Sequence, residues 1–274
     1  GRQVIADTLD GNPWLDDMVI VEDMGNGSAS RFWGQVSYLR RHRFDCGILL
    51  PNSFGSALIS FLGGVRRRVG YAREWRGPLL TDRRSVARRW SGYTPSPLVD
   101  YYLRLAQLLG ADTSNRQLEL FLRPGNQAHA AHYFTRAKIG PSDLVVVLNP
   151  GAAFGPAKQW PAESFAALAQ RLVDRTHAKI IVLCGPNERA LARSIVVASE
   201  RRSSVHSLAD ETVSIGLSKS IVARSRLLIS TDSGPRHFAA AFKVPVVALF
   251  GPTHIAWTET YFPGEIKLQK TVPC

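Results

Sequence analysis

Apolar residues along this chain fall into short unbroken runs, separated by longer stretches in which they recur every three or four positions. In the first half, 18–21, 46–50 and 68–71 are strand candidates. Between them, 32–43 and 53–62 carry apolar residues at helical spacing, and a helix opened by Ser96-Pro97 runs to Leu109, where Gly110 closes it. Residues 118–122 read as extended, and Arg123-Pro124-Gly125 breaks the pattern. A helix over 127–138 then leads into strands at 144–148, 179–183, 205–208, 227–229 and 246–249, with helices between them. Such alternation predicts parallel βαβ units, so the fold class is α/β, with two Rossmann-like domains, 1–125 and 126–274, facing a cleft.

Two strand-to-helix corners in the second half carry the candidate chemistry. The strand at 227–229 runs into Ser230-Thr231-Asp232-Ser233-Gly234-Pro235-Arg236-His237. Asp232 or Ser233 can cap the helix, Gly234 lets backbone approach a ligand, and Pro235 suits a first-turn position whose N–H is unpaired anyway. The remaining first-turn amides and the helix dipole then favour an anion, with His237 close enough to donate to it. The strand at 144–148 runs into NPGAAFGPAKQWP, where Gly151 and Gly155 loosen the loop and Lys158 offers a mobile positive charge to a diphosphate. An ordinary capped helix and a solvated lysine account for either corner alone. Two such corners in one βαβ array favour the anion site. After the strand at 179–183, Cys184-Gly185-Pro186-Asn187-Glu188 puts a carboxylate in a first helical turn, where it complements the dipole whether or not it also binds a ligand.

NPGAAFGPAKQWP and STDSGPRHFAAAFKVPVVALFGPT resemble the two signature segments of glycosyltransferase family 9, the ADP-heptose:lipopolysaccharide heptosyltransferases. GNPWLDDMVIVED, RFDCGILLPNSFGSAL and RRRVGYAREWRGPLLTDR are also similar to that family, particularly its heptosyltransferase II branch. The resemblance implies a GT-B architecture whose first domain is incomplete here, and inverting transfer of heptose from ADP-L-glycero-D-manno-heptose to the lipopolysaccharide inner core. It implies donor contacts from Gly151, Ala152, Ala153, Thr231, Asp232, Ser233, Gly234 and His237, with Glu188 on the ribose, Thr212 at the adenine and Lys158 on the leaving diphosphate. Asp232, an anion beside a diphosphate, is expected to take hydrogen bonds from sugar hydroxyls or loop amides. Asn52, Arg73 and Arg76 fall on the acceptor side. The family's catalytic aspartate follows its first strand in a Gly-Asp segment, and nothing here aligns with it. The chain is therefore expected to be a fragment, cut at both ends and lacking its base, which binds nucleotide with little transfer of its own. A family 9 transferase with another nucleotide-sugar donor is one alternative, and a non-catalytic nucleotide-binding module or dinucleotide-binding oxidoreductase is another. No G-x-G-x-x-G follows any strand, which disfavours the oxidoreductase.

Composition adds location and partners. Among 274 residues, no apolar run reaches the ~18 needed to span a bilayer, and no signal peptide is evident, so a soluble cytoplasmic protein is expected. Cys46, Cys184 and Cys274 have no metal-ligand spacing, and no Asp-x-Asp pair stands out, so neither metal nor cofactor is expected and the ADP-sugar counts as substrate. The net charge of +12 is uneven: residues 66–89 hold nine arginines against Glu74 and Asp82. Without stacking aromatics or a recognition helix this disfavours nucleic acid, and a solvated loop accounts for it as well. The family resemblance points it at a phosphorylated lipid A–core acceptor and at peripheral contact with the inner membrane face.

Overall fold

The computed structural model describes residues 2–25, 27–86, 88–89, 92–93, 95–151 and 159–270. The chain forms two units. One comprises Gly1–Ala6, Asp16–Arg116 and Ala256–Glu259, and the other Asp7–Leu15, Gln117–Ile255 and Thr260–Cys274.

Helix α1 (Gln3–Leu9) is followed in the first unit by α2 (Ser28–His42), β1 (Cys46–Leu49), α3 (Phe54–Leu62), β2 (Arg67–Tyr71), β3 (Asp82–Arg84), the short antiparallel pair β4 (Arg88–Arg89) and β5 (Gly92–Tyr93), and α4 (Leu98–Gln107). Strands β1, β2 and β3 lie side by side in parallel, with Cys46 opposite Arg67 and Val69 opposite Asp82. Ser53 starts α3 by accepting a hydrogen bond from the Ser56 amide, as an N-cap serine should. Tyr71 and Tyr101 stack with ring centres 3.8 Å apart, and the Tyr71 hydroxyl donates to the Tyr101 carbonyl at 2.7 Å, which fastens α4 to β2.

Residues 18–21 form no strand. Val19 and Val21 instead line an apolar groove with Tyr38, Leu39 and Ile48, so their hydrophobicity serves burial rather than a ladder. Strand β3 went unread because Asp-Arg-Arg has no apolar signature. It is secured by polar groups: Arg67 grips Asp82 through two hydrogen bonds of 2.9 and 3.1 Å, and Thr81 accepts from the Arg68 amide.

The second unit contains α5 (Pro124–Arg136), β6 (Val145–Asn149), α6 (Ala162–Thr176), β7 (Lys179–Val182), α7 (Arg189–Ala198), β8 (Val205–Ser207), α8 (Ile215–Arg224), β9 (Leu227–Thr231), α9 (Gly234–Ala241), β10 (Val246–Phe250) and β11 (Glu265–Gln269). Its six strands are all parallel, in the order β11-β10-β9-β6-β7-β8. All five residues of β6 are buried, which explains the unbroken apolar run in its sequence. The core joins Val146, Val147, Leu148, Ile180, Ile181 and Leu228 of the sheet to Phe134, Phe165, Ile195, Leu217 and Ile221 of the helices. From β6 the chain winds to β7 and β8 on one side, then returns to β9 and winds to β10 and β11 on the other. The winding direction therefore reverses between β6 and β9, and at such a reversal the loops at the strand ends part to leave a crevice.

The main division falls at Arg116/Gln117, where the sequence pattern placed it at 125, and Asp7–Leu15 belongs to the second unit. Both shifts have local causes. Leu120, on an extended stretch that joins no sheet, packs against the second unit's core. Lys219 of α8, fully buried, donates to the carbonyls of Thr8 and Asp10 at 2.9 and 3.2 Å, while Asp10 pairs with Arg123 at 2.6 Å. These bonds satisfy an ammonium group whose burial pushes its pKa below the usual lysine value.

Candidate functional site

The ends of β6 and β9 meet through their side chains. Asn149 and Ser230 stand opposite one another in the ladder, and the Asn149 amide donates to Ser230 Oγ at 2.9 Å and to Ser233 Oγ at 2.6 Å. The Thr231 hydroxyl donates to the Gly151 carbonyl. The corner after β6 and the corner after β9 are thus hydrogen-bonded into one piece, at the point where the sheet reverses its winding.

Ser233 is the N-cap of α9, yet its side chain makes no capping hydrogen bond because Asn149 holds it. Gly234 is exposed, and Pro235 brings no N–H. The positive end of α9 consequently opens onto the loop region, as an anion seat requires. His237 sits in the first turn and is half-buried. Burial, and then the neighbouring Arg236, push its pKa below the ordinary histidine value, so at neutral pH it is an uncharged imidazole with one N–H to give.

Asp232 has a partner that the sequence reading did not name. Its buried carboxylate pairs with Arg236 at 3.3 Å, and Arg236, fully buried, also binds Glu265 of β11 through two nitrogens. The Thr260 hydroxyl donates to the same Glu265 at 2.6 Å. The Asp232 charge is offset from within by the Arg236 guanidinium. Sequence reading missed Arg236, although an arginine four residues after an aspartate at a helix start is a recognisable pairing signal. It also missed Asn149, a polar residue closing an apolar strand, and Glu265, which lies far along the chain and carries no local signal.

Glu188 stands where the loop after β7 starts its first turn, and Oε2 accepts from the Gly185 amide at 2.8 Å. Its carboxylate lies against the α-carbon of Gly151, so closely that a β-carbon there would overlap it. Gly151 and Glu188 are therefore neighbours. Thr212 is exposed on the loop after β8. That loop is tied down by α7: Arg189 donates to the Ala209 and Glu211 carbonyls, and Arg193 pairs with Asp210 at 2.7 Å. Ala152, Ala153 and Lys158 lie outside the described residues.

On the first unit, Asn52 accepts hydrogen bonds from Arg76 at 3.2 Å and from the Tyr101 hydroxyl at 3.1 Å. Arg76 is a correction to the acceptor-side reading. It is fully buried, and it donates to the carbonyls of Tyr71 and Pro51, to Ser56 Oγ and to Asn52, so its guanidinium braces the β2 corner from inside. Arg73, half-buried, borders a cavity of about 640 Å³.

The family model for glycosyltransferase family 9 (heptosyltransferase) matches residues 35–272. The chain belongs to glycosyltransferase family 9. Among relatives of this family 9 chain, lipopolysaccharide heptosyltransferase 2 of Escherichia coli K12 is 31% identical over 226 residues, covering 78% of this chain and 62% of that protein. Lipooligosaccharide heptosyltransferase 2 of Haemophilus influenzae is 30% identical over 227 residues, covering 80% and 63%. The chain thus spans somewhat under two thirds of the length of these relatives. A crystal structure of a family 9 glycosyltransferase from Veillonella parvula superposes with a TM-score of 0.83 at 23% identity, over 97% of this chain and 75% of that one. The structure of E. coli ADP-heptose lps heptosyltransferase II does so with a TM-score of 0.70 at 27% identity, over 85% and 70%. The fold is α/β of the GT-B type, as the resemblance implied.

Proposed function

We propose that this chain takes part in inverting transfer of heptose from ADP-heptose to the inner core of lipopolysaccharide, and that its second unit holds the nucleotide diphosphate. One observation carries the reading: the loops that bear the expected donor residues follow β9, β6, β7 and β8, four neighbouring strands in that order. Three inter-strand spacings amount to ~14 Å, comparable to an extended nucleoside diphosphate. Diphosphate over Gly151 and the mouth of α9, ribose hydroxyls on Glu188 and base beside Thr212 is a single continuous arrangement along that edge. The relatives' names, lipopolysaccharide heptosyltransferase 2 and ADP-heptose lps heptosyltransferase II, supply the donor and acceptor classes.

The acceptor hydroxyl attacks the anomeric carbon from the face opposite the departing ADP. The bond from that carbon to the diphosphate oxygen breaks, its electron pair stays on ADP, and a base takes the hydroxyl proton. No residue of this chain is assigned as that base. Lys158, the first-turn backbone of α9 and the neutral His237 supply positive potential where the leaving group gathers charge. The nucleotide sugar enters as substrate, with no further cofactor in the scheme. We place the acceptor's phosphates near the arginine-rich segment 66–89 and the chain on the cytoplasmic face of the inner membrane as a peripheral protein. Among the described residues, no helix is long and apolar enough to cross a membrane.

A thermal-shift and calorimetric panel tests this. ADP at a hundredfold excess over its Kd should stabilise the chain by ~2.7 kcal/mol, with NADH and UDP far weaker. Lys158→Ala should weaken ADP binding about tenfold. Stabilisation by NADH but not ADP, or unchanged ADP affinity in the lysine variant, contradicts the reading.

A further inference from the structure

Trp75 is 94% exposed, far outside the habit of the largest apolar side chain. It is held there by the backbone. Glu74 and Trp75 have φ of +47° and +59°, two successive left-handed residues that carry a β-carbon, a conformation that persists only where the surroundings impose it. The imposing group is Arg76, whose buried guanidinium is bonded to the Tyr71 and Pro51 carbonyls, Ser56 and Asn52. The Arg76 amide also closes the turn onto the Arg73 carbonyl at 3.0 Å. An indole displayed on a braced turn next to a hollow of about 640 Å³ has the form of a ligand platform. The hollow is lined by the apolar Trp75, Pro78 and Val86 together with the polar Arg73, Glu74 and Ser85. Exposed Arg83 reaches the same wall, its Nη1 only 3.7 Å from where a β-carbon on Gly77 would stand.

We propose that this hollow is a subsite for a phosphorylated saccharide, with a pyranose stacked on the Trp75 ring, its phosphate taken by Arg73 and Arg83, and its hydroxyls bonded by Glu74 and Ser85. The apolar C–H face of a sugar suits the electron-rich face of indole, and planar guanidinium groups suit phosphate oxygens. A bilayer is the competing occupant. It needs no concavity, whereas a sugar ring fills one, so the hollow favours the sugar. This subsite rests on the transferase reading and identifies where that reaction's acceptor is gripped.

Calorimetric titration of the chain with deacylated lipopolysaccharide core oligosaccharide that retains its phosphates provides the test, with ADP titrated in parallel. Trp75→Ala should weaken oligosaccharide binding at least about tenfold, while Trp75→Phe stays within about threefold of wild type. Arg73→Gln should weaken binding and reduce its salt dependence. ADP affinity should be unchanged in all three variants. Wild-type oligosaccharide affinity in Trp75→Ala overturns the proposal. So does a defect confined to phosphatidylglycerol-containing vesicles, which makes Trp75 a bilayer wedge. If the wild-type chain binds ADP but not the oligosaccharide, the subsite falls and the nucleotide reading stands; if it binds neither, the transferase reading falls as well.

Discussion

Gly151 shows what a single residue contributes and how little of it is legible beforehand. As a glycine in a strand-to-helix loop it reads as backbone freedom for a ligand, yet its immediate constraint is the Glu188 carboxylate lying where a β-carbon would go. Gly151→Ala must push that carboxylate away and so loosen its hydrogen bond from the Gly185 amide. Overpacking of this sort costs ~1–3 kcal/mol. We expect a lower denaturation midpoint together with weaker ADP binding, measured by urea titration and calorimetry; an alanine variant equal to wild type in both would show that Glu188 swings aside freely. The two residues were each readable as candidates from loop position. Their contact was not, because adjacency of the loops after β6 and β7 comes from strand pairing and not from sequence distance.

Among the elements, α9 and β11 are locked by the buried chain of Asp232, Arg236 and Glu265. The helix was legible from Gly234-Pro235, but β11 was not. Its residues, Glu-Ile-Lys-Leu-Gln, alternate at a sheet edge, where Ile266 and Leu268 remain exposed. Removing one partner of a buried ionic group leaves the others uncompensated, at ~3–5 kcal/mol. Arg236→Met should therefore destabilise the chain by that order in urea denaturation. Adding Asp232→Asn and Glu265→Gln should recover part of the loss, because neutral amides no longer need the guanidinium. If the triple variant is no more stable than the single one, the cost lies in packing rather than charge.

At the scale of the whole molecule, two histidines make stability depend on pH. His206 and His237 both have pKa values pushed down by burial, assisted by Lys179 for the first and Arg236 for the second. Their unfolded forms bind a proton near the ordinary value of 6.5, whereas the folded forms resist it until lower pH. The stability contributed by keeping them neutral is full above 6.5 and is lost as pH falls from there through the depressed folded values. Melting temperature should accordingly be flat from pH 8 to 7 and decline toward pH 5.5, with His206→Gln making the decline shallower. A decline as steep in that variant as in wild type would assign the effect to other groups.

The sequence by itself determined the βαβ plan, the placement of the major strands of the second unit and the two glycine-bearing corners, because buried parallel strands require continuous apolar runs and helix mouths require particular capping residues. It left undecided the strands that polar groups or sheet edges hold, such as β3 and β11, and the burial of Arg76, Arg236 and Lys219, since a basic residue reads the same whether it faces water or interior carbonyls. Tertiary structure alone decided that the corners after β6 and β9 meet where the winding reverses. Strand order is settled by packing of the whole sheet, and no local stretch of residues encodes which strand becomes its neighbour.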